Sequence, residues 1–418
     1  MGATELKNGD ALSAIEESSE QEKDERKQPE ADHLIPFSPV TIDISLPLHQ
    51  MRPHIIYLCK ALFKKWSPLD ESVFSIETVS GGITNLLLKV SVREDTVKID
   101  TVIVRLYGPN TDLVIDRKRE FQIGLMDNFD DGTPVWLEAW FGLSAPELTR
   151  ALPHISAAGF GAKLLGWFQN GMVQSFIDAR TLSPSDMKNP KLAEKIARQL
   201  RGFHQVVIPG SREPQLWNDI FKFLNEAETL KFDNNEKQAT YESISFNEIR
   251  AAIDEVKNMT DRFIAPVVFS HNDLLSGNLM FNDKQGILYF IDFEYGSYNY
   301  RGYDIANHFN EFAGLECDFN LYPDKYTQYH FFRNYLDSDK PYEIEVPIKD
   351  LEALFVETNT FRLASHIYWA LWGVIQAKVS PIDFDYLGYF FRRFNEFKKQ
   401  KETCFSLAGK YLYSSSSI

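Results

Sequence analysis

The sequence has no long apolar run, few cysteines and no excess of basic residues. No 18 consecutive apolar residues occur in its 418 positions, which argues against a transmembrane helix. The net charge of −15 argues against non-specific binding to nucleic acid or anionic membranes. The three cysteines are Cys59, Cys317 and Cys404, without a CxxC or His/Cys cluster. This pattern disfavours a disulfide framework or zinc site and favours a reducing, cytoplasmic location. We expect no nucleic-acid partner and no stable membrane insertion.

The first residues differ from the rest of the chain. The start, MGATELKNGD, lacks the apolar core of a secretory signal. Residues 1–32 contain 10 acidic and 4 basic residues and no aromatic residue. Such a segment has too little apolar surface to fold alone, so residues 1–35 are expected to be a disordered acidic tail.

The periodicity of the apolar residues predicts an α+β protein with two lobes. Helical spacing predicts a first helix over 51–66. Strands are expected within 74–92, 101–108 and 161–178, and helices within 192–206, 247–259 and 361–379. We therefore predict a β-rich N-terminal lobe over 36–173, a hinge near Gln174–Leu182, and a mainly helical C-terminal lobe over 174–418.

A short polar motif interrupts the helical region within VVFSHNDLLSGNLMFNDKQGILYFIDFEYG, residues 267–296. His271, Asp273 and Asn278 form a His-x-Asp-x-x-x-x-Asn pattern, and Asp292 follows at the end of an apolar run. Kinase-type phosphoryl transfer needs one Asp at the attacking hydroxyl, and an Asn and a second Asp that hold Mg²⁺ against the phosphates. These could be ordinary turn residues, but average residue usage predicts only about 0.02–0.03 chance matches. The motif therefore indicates Asp273 as catalytic base, Asn278 and Asp292 as magnesium ligands, and His271 as a residue that orders the loop.

A phosphate-covering loop is expected in the N-terminal hairpin, at SGGITN (80–85). Gly81 and Gly82 allow the backbone to approach phosphates, and Thr84 and Asn85 add hydrogen-bond donors. Gly-Gly pairs also form ordinary turns. The interpretation as a phosphate-covering loop therefore depends on the position of SGGITN in a hairpin that precedes a kinase-like motif.

The third predicted strand supplies a cation for the same phosphates. Arg105 stands where protein kinases use Lys, and Glu120, on a helix predicted to start at 112–120, is its candidate partner. An ion pair on the surface is the alternative interpretation of Arg105 and Glu120.

Three longer motifs resemble the choline/ethanolamine kinase family. They are HNDLLSGN (271–278), IDFEYGSYNYRGYDIANHFNEF (291–312) and HIYWALW (366–372). The resemblance covers about residues 36–405, apart from one segment, and HFNEFAG is more similar to the ethanolamine kinase branch. It implies a bilobal protein-kinase-like fold. It also implies ATP- and Mg²⁺-dependent phosphorylation of ethanolamine to phosphoethanolamine, the first step of the phosphatidylethanolamine branch of phospholipid synthesis.

Alternatives remain at this stage. They are a choline kinase or a dual choline/ethanolamine kinase, a kinase of another small cationic alcohol, and a pseudokinase. A protein kinase is disfavoured, because Asp-Phe-Glu replaces Asp-Phe-Gly and no Ala-Pro-Glu follows. A homodimer is compatible with the resemblance.

The resemblance also implies binding residues. ATP would contact Gly81, Gly82, Thr84, Asn85 and Arg105, with Glu120 as the partner of Arg105 and the hinge from Gln174 to Arg180 beside adenine. The amino alcohol would contact Tyr295, Glu311, Trp369, Trp372 and Tyr389. A carboxylate and aromatic faces attract an ammonium group. The tryptophans could instead be core residues. Glu311 lies in the apolar context HFNEFAG, where burial without a cation would be costly, and Arg301 could supply that cation.

One segment departs from the family pattern. After Glu120 the chain has roughly thirty additional residues, an insert over about 122–153. The insert could loop out, with a helix re-formed from ELTRALPHI or a shortened first turn. Alternatively it replaces the helix and damages the lobe, and Pro153 makes an intact helix at its end harder to form.

Overall fold

The computed structural model describes residues 35–79, 85–94, 97–107, 151–337 and 346–415. The predicted tail before Ile35 lies outside these ranges. So do Gly81, Gly82, Thr84, Glu120 and most of the predicted insert.

A six-stranded sheet forms the N-terminal part. Its strands are β1 (Phe37–Ser38), β2 (Phe74–Val79), β3 (Asn85–Glu94), β4 (Val97–Tyr107), β5 (Leu164–Phe168) and β6 (Gly171–Ser175). They lie in the order β1-β5-β6-β4-β3-β2, and only the β1–β5 pair is parallel. The predicted hairpin is confirmed, because β2 pairs antiparallel with β3, from Phe74 opposite Val92 to Val79 opposite Leu87.

One face of this sheet packs against helix α1 (Leu48–Leu62). Val104 and Leu106 of β4 are buried in the core that the helix shares with the sheet. Successive residues of a strand point to opposite faces, so Arg105 between them points away from this core. Because side chains alternate along β4, the Arg105 side chain points toward the C-terminal part of the protein. The helix starts three residues earlier than predicted and ends at Leu62, because Phe63 is extended, and Lys64–Trp66 form a separate 3₁₀ turn.

A short helix, α2 (Ala151–Ala157), precedes β5 and contains Pro153. Leu152 and Ile155 are buried, at 7% and 1% exposure. Pro153 therefore lies inside a helix over residues 151–157, and the continuation toward Glu120, which the prediction concerned, lies outside the described residues. ALPHI, the second half of the predicted ELTRALPHI helix, is helical.

The C-terminal part is mainly helical. Its helices are α3 (Pro184–Met187), α4 (Pro190–His204), α5 (Leu216–Ala227), α6 (Asn235–Glu242), α7 (Phe246–Thr260), α8 (Arg301–Asn310), α9 (Lys325–Asp337), α10 (Ile348–Val379) and α11 (Tyr386–Ser415). The 32-residue α10 is buried almost continuously from Val356 to Gln376, as expected for a helix surrounded by others. It packs against α5, α7, α8 and α11.

Two small sheets interrupt these helices and hold the predicted catalytic motif. Strands β7 (Arg180–Thr181), β9 (Leu279–Asn282) and β10 (Ile287–Phe290) form one sheet, and β8 (Val267–Ser270) pairs with β11 (Ser297–Tyr300) in the other. The chain leaves β8 at His271 and leaves β10 at Ile291. Residues 271–278 and 291–296 therefore lie in loops fixed at both ends by paired strands. A β-rich N-terminal part and a helical C-terminal part agree with the predicted α+β class.

Candidate active site

Asp304, in the first turn of α8, fixes the backbone of the loop that begins at His271. Its carboxylate accepts hydrogen bonds from the backbone N–H of His271 at 2.9 Å and of Asn272 at 2.7 Å. It also accepts a hydrogen bond from Nε2 of the buried His204 at 2.9 Å. Burial would raise the pKa of Asp304, but the hydrogen bonds from the His204 side chain and the His271 backbone contribute to a net lowering of that pKa. Asp304 is thus an ionised anchor for the loop.

The loop is held further by the side chain of Asn272, which has a positive φ of 63°. Its Nδ2 donates to the Tyr295 carbonyl at 2.8 Å and to the Ser297 hydroxyl at 2.9 Å. Asn307 of α8 donates to the Asn272 carbonyl at 3.0 Å. His271 Nε2 lies 3.0 Å from the Ile291 carbonyl, in agreement with its expected role in ordering the loop. These bonds join the two loops of the site to each other and to α8.

Asp273 and Asn278 lie together at the end of the ordered loop. Nδ2 of Asn278 donates to the Asp273 carbonyl at 2.8 Å and to Asp273 Oδ2 at 2.9 Å. Burial raises the pKa of Asp273 well above its ordinary value, and the nearby acids Glu311, Asp292 and Glu294 raise it further. Asp273 is thus a carboxylate of increased basicity among other acids.

Arg105 connects the N-terminal sheet to the second loop of the site. Its Nη2 donates to Asp292 Oδ1 at 2.7 Å and to Glu294 Oε2 at 2.8 Å. Asn85 donates to the same Glu294 oxygen at 3.1 Å. Glu120, the predicted partner of Arg105, lies outside the described residues, so that pairing stays a prediction. Glu294 was not predicted, although its position in Asp-Phe-Glu, where protein kinases have Gly, is a signal that could have identified it.

The donor set fits a magnesium ion together with phosphate oxygens. Because Asn278 Nδ2 faces Asp273, its Oδ1 has no hydrogen-bond partner among the described residues, and the same is true of Asp292 Oδ2. Hard cations prefer such amide and carboxylate oxygens. Within the described ranges no group of three or more His, Cys, Asp or Glu side chains could hold a metal alone. A metal at Asn278 and Asp292 would therefore need ligand oxygens from another source.

The predicted hinge leads from the large sheet to the small one. Gln174 lies in β6 opposite Ile103, and Arg180 lies in β7 opposite Phe281. The exposed Arg180 guanidinium forms ion pairs with Asp186 at 3.1 Å and with Asp283 at 2.9 Å. The segment thus spans the two parts of the protein, with the Arg180 side chain on the C-terminal part.

The predicted amino-alcohol residues form one contiguous cluster beside Asp273. Ring centroids are 5.3 Å apart for Tyr295 and Trp369, 5.4 Å for Trp369 and Trp372, and 6.1 Å for Trp372 and Tyr389. Trp372 donates to the Tyr295 hydroxyl at 2.9 Å, and Trp369 donates to Asn307 Oδ1 at 2.6 Å. The indole N–H groups are therefore satisfied by protein. All four rings are buried, at most 8% exposed, and belong to the core around α10 and α11.

Glu311 belongs to the same cluster, but its cation partner differs from the one considered from sequence. Arg301 pairs with Glu357, and therefore the idea that Arg301 neutralises Glu311 is wrong. Arg393 of α11 donates to Glu311 Oε1 and, through Nε, to the Tyr389 hydroxyl at 2.9 Å. Sequence reasoning missed Arg393, because nothing in YFFRRFNEF distinguishes a buried arginine from an exposed one.

The pattern of residues matches one known family. The model for choline/ethanolamine kinases matches residues 76–126 and 147–398. The chain belongs to the choline/ethanolamine kinase family. The family match is interrupted over 127–146, within the insert predicted at about 122–153.

Several relatives within this family cover most of the chain. A probable ethanolamine kinase of Arabidopsis thaliana is 57% identical over 381 residues, covering 91% of this chain and 94% of that protein. Ethanolamine kinase 1 of Mus musculus is 34% identical and covers 88% of this chain and 96% of its own length.

Solved structures of the family share the fold. Plasmodium vivax ethanolamine kinase superposes with a TM-score of 0.68 at 28% identity, covering 85% of this chain and 92% of that chain. Choline kinase from Cryptosporidium parvum has a TM-score of 0.64 at 20% identity, covering 86% and 99%, which supports the fold alone. The predicted kinase-like fold of the family is confirmed. Among the described residues, no helix is long and apolar enough to cross a membrane.

Proposed function

We propose that this chain is an ethanolamine kinase that transfers a phosphoryl group from ATP to the hydroxyl of ethanolamine. The proposal rests on one observation: a group of acids and an amide that suits phosphoryl transfer lies next to an aromatic cluster. Asn278 is bonded to Asp273 beside the Asp292–Arg105 pair, and the aromatic cluster with Glu311 lies next to them. The first arrangement suits phosphoryl transfer, and the second suits an ammonium group. The names of the relatives, ethanolamine kinases at 57% and 34% identity, support ethanolamine as the alcohol.

Each residue has a distinct task in this proposal. Asp273 accepts the proton of the substrate hydroxyl as the oxygen attacks the γ-phosphorus and ADP leaves, and Asn278 holds the Asp273 carboxylate in position. Asn278 and Asp292 would hold Mg²⁺, which would neutralise charge on the phosphates. Arg105 provides a fixed positive charge for the same phosphates. The ammonium end of the substrate lies against the aromatic faces of Tyr295, Trp369, Trp372 and Tyr389 and near Glu311.

The remaining nucleotide contacts continue the proposal. The backbone at Gly81 and Gly82, with Thr84 and Asn85, covers the phosphates, Glu120 supports Arg105, and the segment from Gln174 to Arg180 lies beside adenine. The product phosphoethanolamine places the enzyme at the first step of the phosphatidylethanolamine branch of phospholipid synthesis. A cytoplasmic location is proposed with it, supported by three cysteines without a disulfide.

The test is ADP release measured with ethanolamine and with choline in parallel. We expect turnover that depends on ATP, Mg²⁺ and ethanolamine, with a lower kcat/KM for choline. Asp273→Ala should abolish turnover and retain nucleotide binding, because it removes the base and leaves Arg105, Asn278 and Asp292 in place. Asp261→Ala, which changes an exposed acid at the end of α7, is the control and should keep turnover.

ADP release with choline and none with ethanolamine would show that choline, and not ethanolamine, is the substrate. Nucleotide binding without turnover on either alcohol would favour the pseudokinase alternative. Turnover of Asp273→Ala at the wild-type rate would contradict the role of Asp273 as base.

A further inference from the structure

Arg393 is a buried cation placed between two residues of the proposed amino-alcohol site. Its side chain is 2% exposed and lies on α11. The guanidinium donates from Nη2 to Glu311 Oε1 and from Nε to the Tyr389 hydroxyl at 2.9 Å. Tyr389 lies four residues before Arg393, one helical turn away, so both face the same side of α11. One planar guanidinium therefore fixes two side chains from different parts of the chain.

The surroundings keep Arg393 charged. Burial works against its charge, but Tyr389 and Glu311 outweigh this and raise the pKa of Arg393 above its ordinary value. A charged guanidinium forms strong hydrogen bonds with a carboxylate. Glu311 is therefore held by a permanent cation.

The hydrogen bonds leave acceptors free in the cluster. Glu311 Oε1 is bound by Arg393, and Oε2 has no partner among the described residues. The hydroxyl of Tyr389 receives a hydrogen bond from Arg393, and that of Tyr295 receives one from Trp372. A hydroxyl oxygen can accept two hydrogen bonds, so each retains acceptor capacity. A primary ammonium has three N–H donors, and Glu311 Oε2 is a charged acceptor for one of them.

Charge around the site remains negative despite Arg393. Four carboxylates, Asp273, Asp292, Glu294 and Glu311, lie near the two guanidinium groups of Arg105 and Arg393. Without Arg393, Glu311 would be a buried carboxylate without its cation partner, and its side chain would lose the contact that fixes its position. A displaced Glu311 would lose most of its attraction for an ammonium group.

We propose that Arg393 is a positioning residue for substrate recognition, which holds the Glu311 carboxylate in place so that its second oxygen receives the ammonium group of the amino alcohol. The inference rests on the proposed function and assigns a role to a residue that does not itself touch the reacting atoms. Arg393 also orients the Tyr389 hydroxyl through the hydrogen bond from its Nε.

The test compares three variants in steady-state kinetics. Arg393→Met should raise the KM for ethanolamine at least tenfold, with the KM for ATP changed less than twofold, because the nucleotide residues are untouched. Arg393→Lys keeps the charge but has no planar fork to reach both Glu311 and Tyr389, and should give an intermediate KM. Arg392→Met is the matched control, since the neighbouring Arg392 is 39% exposed and lies 3.7 Å from the exposed Asp385, and should leave both KM values unchanged.

An unchanged or lower KM for ethanolamine in folded Arg393→Met would overturn the proposal. If Arg393→Met does not fold, Arg393→Lys decides. A raised KM at a wild-type melting temperature supports the role, and a wild-type KM overturns it. Wild-type turnover on ethanolamine is measured first, and its absence overturns the proposed function. When wild-type turnover is present, a variant without a KM effect overturns only the role of Arg393.

Discussion

At the scale of single residues, the site depends on side chains that accept several hydrogen bonds at once. Asp304 receives donors from His271, Asn272 and His204, and His204 has a lowered pKa because of its burial. A neutral His204 must donate from Nε2 to a carboxylate, so its Nδ1 accepts from the Tyr335 hydroxyl at 2.7 Å. The catalytic loop is therefore fixed by a buried network rather than by its own sequence.

Asp304→Asn should weaken both folding and catalysis. The amide presents an N–H₂ group to N–H donors and removes the charge, which should destabilise the protein by about 3 kcal/mol. We expect a lower melting temperature and a kcat reduced at least tenfold. Asp350→Asn is the matched control, because Asp350 is an exposed acid in the first turn of α10. Wild-type kcat in Asp304→Asn would show that the anchor is not needed for catalysis.

Trp369 tests the aromatic part of the proposed pocket. Trp369→Leu should raise the KM for ethanolamine about 2–30-fold, since a cation over an aromatic face gains about 0.5–2 kcal/mol. Trp369→Phe also loses the hydrogen bond to Asn307 but keeps a ring, and should lie closer to wild type. Equal KM values for the two variants would assign the effect to Asn307 instead.

Residue identities that follow from chemistry could be predicted, and residue pairings could not. The spacing of Asp273, Asn278 and Asp292 is local and specific to kinases. The partners of Arg105 and Arg393 lie 189 and 82 positions away, and only the fold brings them together. Similarly, Asp304 looks like an ordinary first-turn acid until its contacts are seen.

At the scale of elements, the regular spacing of apolar residues predicted strands and helices correctly. Where that spacing is interrupted by buried polar residues, the element was missed. The predicted strands of the N-terminal sheet are confirmed, because alternating burial leaves a clear pattern in segments such as β3. Helix α10 starts at Ile348, whereas only 361–379 was predicted. Its first half carries buried polar residues such as Asn359, which is bonded to Gln328 at 2.8 Å. Such residues hide the helical pattern in the sequence.

The interruption in the family match suggests a precise deletion. Removing 127–146 should leave kcat within about threefold of wild type, since the family match lies on both sides of these residues and not over them. The broader deletion of 122–153 should reduce the melting temperature, because it removes the buried Leu152 from α2. A folded but inactive 127–146 deletion would show that the insert takes part in catalysis.

At the scale of the whole molecule, buried neutral histidines link stability to pH. Burial lowers the pKa of His204, His271, His308 and His366, and for His308 to about 4. Below pH 6.5 the unfolded chain takes up a proton at each of these positions, while the folded His308 stays neutral down to about pH 4. The free energy of unfolding must therefore fall as the pH falls through this range.

His308→Asn isolates one part of this effect. Asn can replace the hydrogen bond from Nδ1 to the Leu274 carbonyl but does not titrate. Between pH 7.5 and pH 5 the variant should lose about 2 kcal/mol less than wild type, measured by urea unfolding. His49→Asn changes an exposed imidazole and should show the same difference from wild type at both pH values. An equal pH dependence of His308→Asn and wild type would contradict the assignment.

The position of Arg393 in the chain also bears on synthesis. The ribosome releases the loop at Asp273 first, then its anchor Asp304, then Glu311, and the cation for Glu311 only 82 residues later. Until α11 has emerged, the growing chain carries an acid whose partner does not yet exist. A chain that ends before Arg393 would carry the proposed catalytic motif without the cation of the proposed amino-alcohol site, so that this site could be completed only near the end of translation.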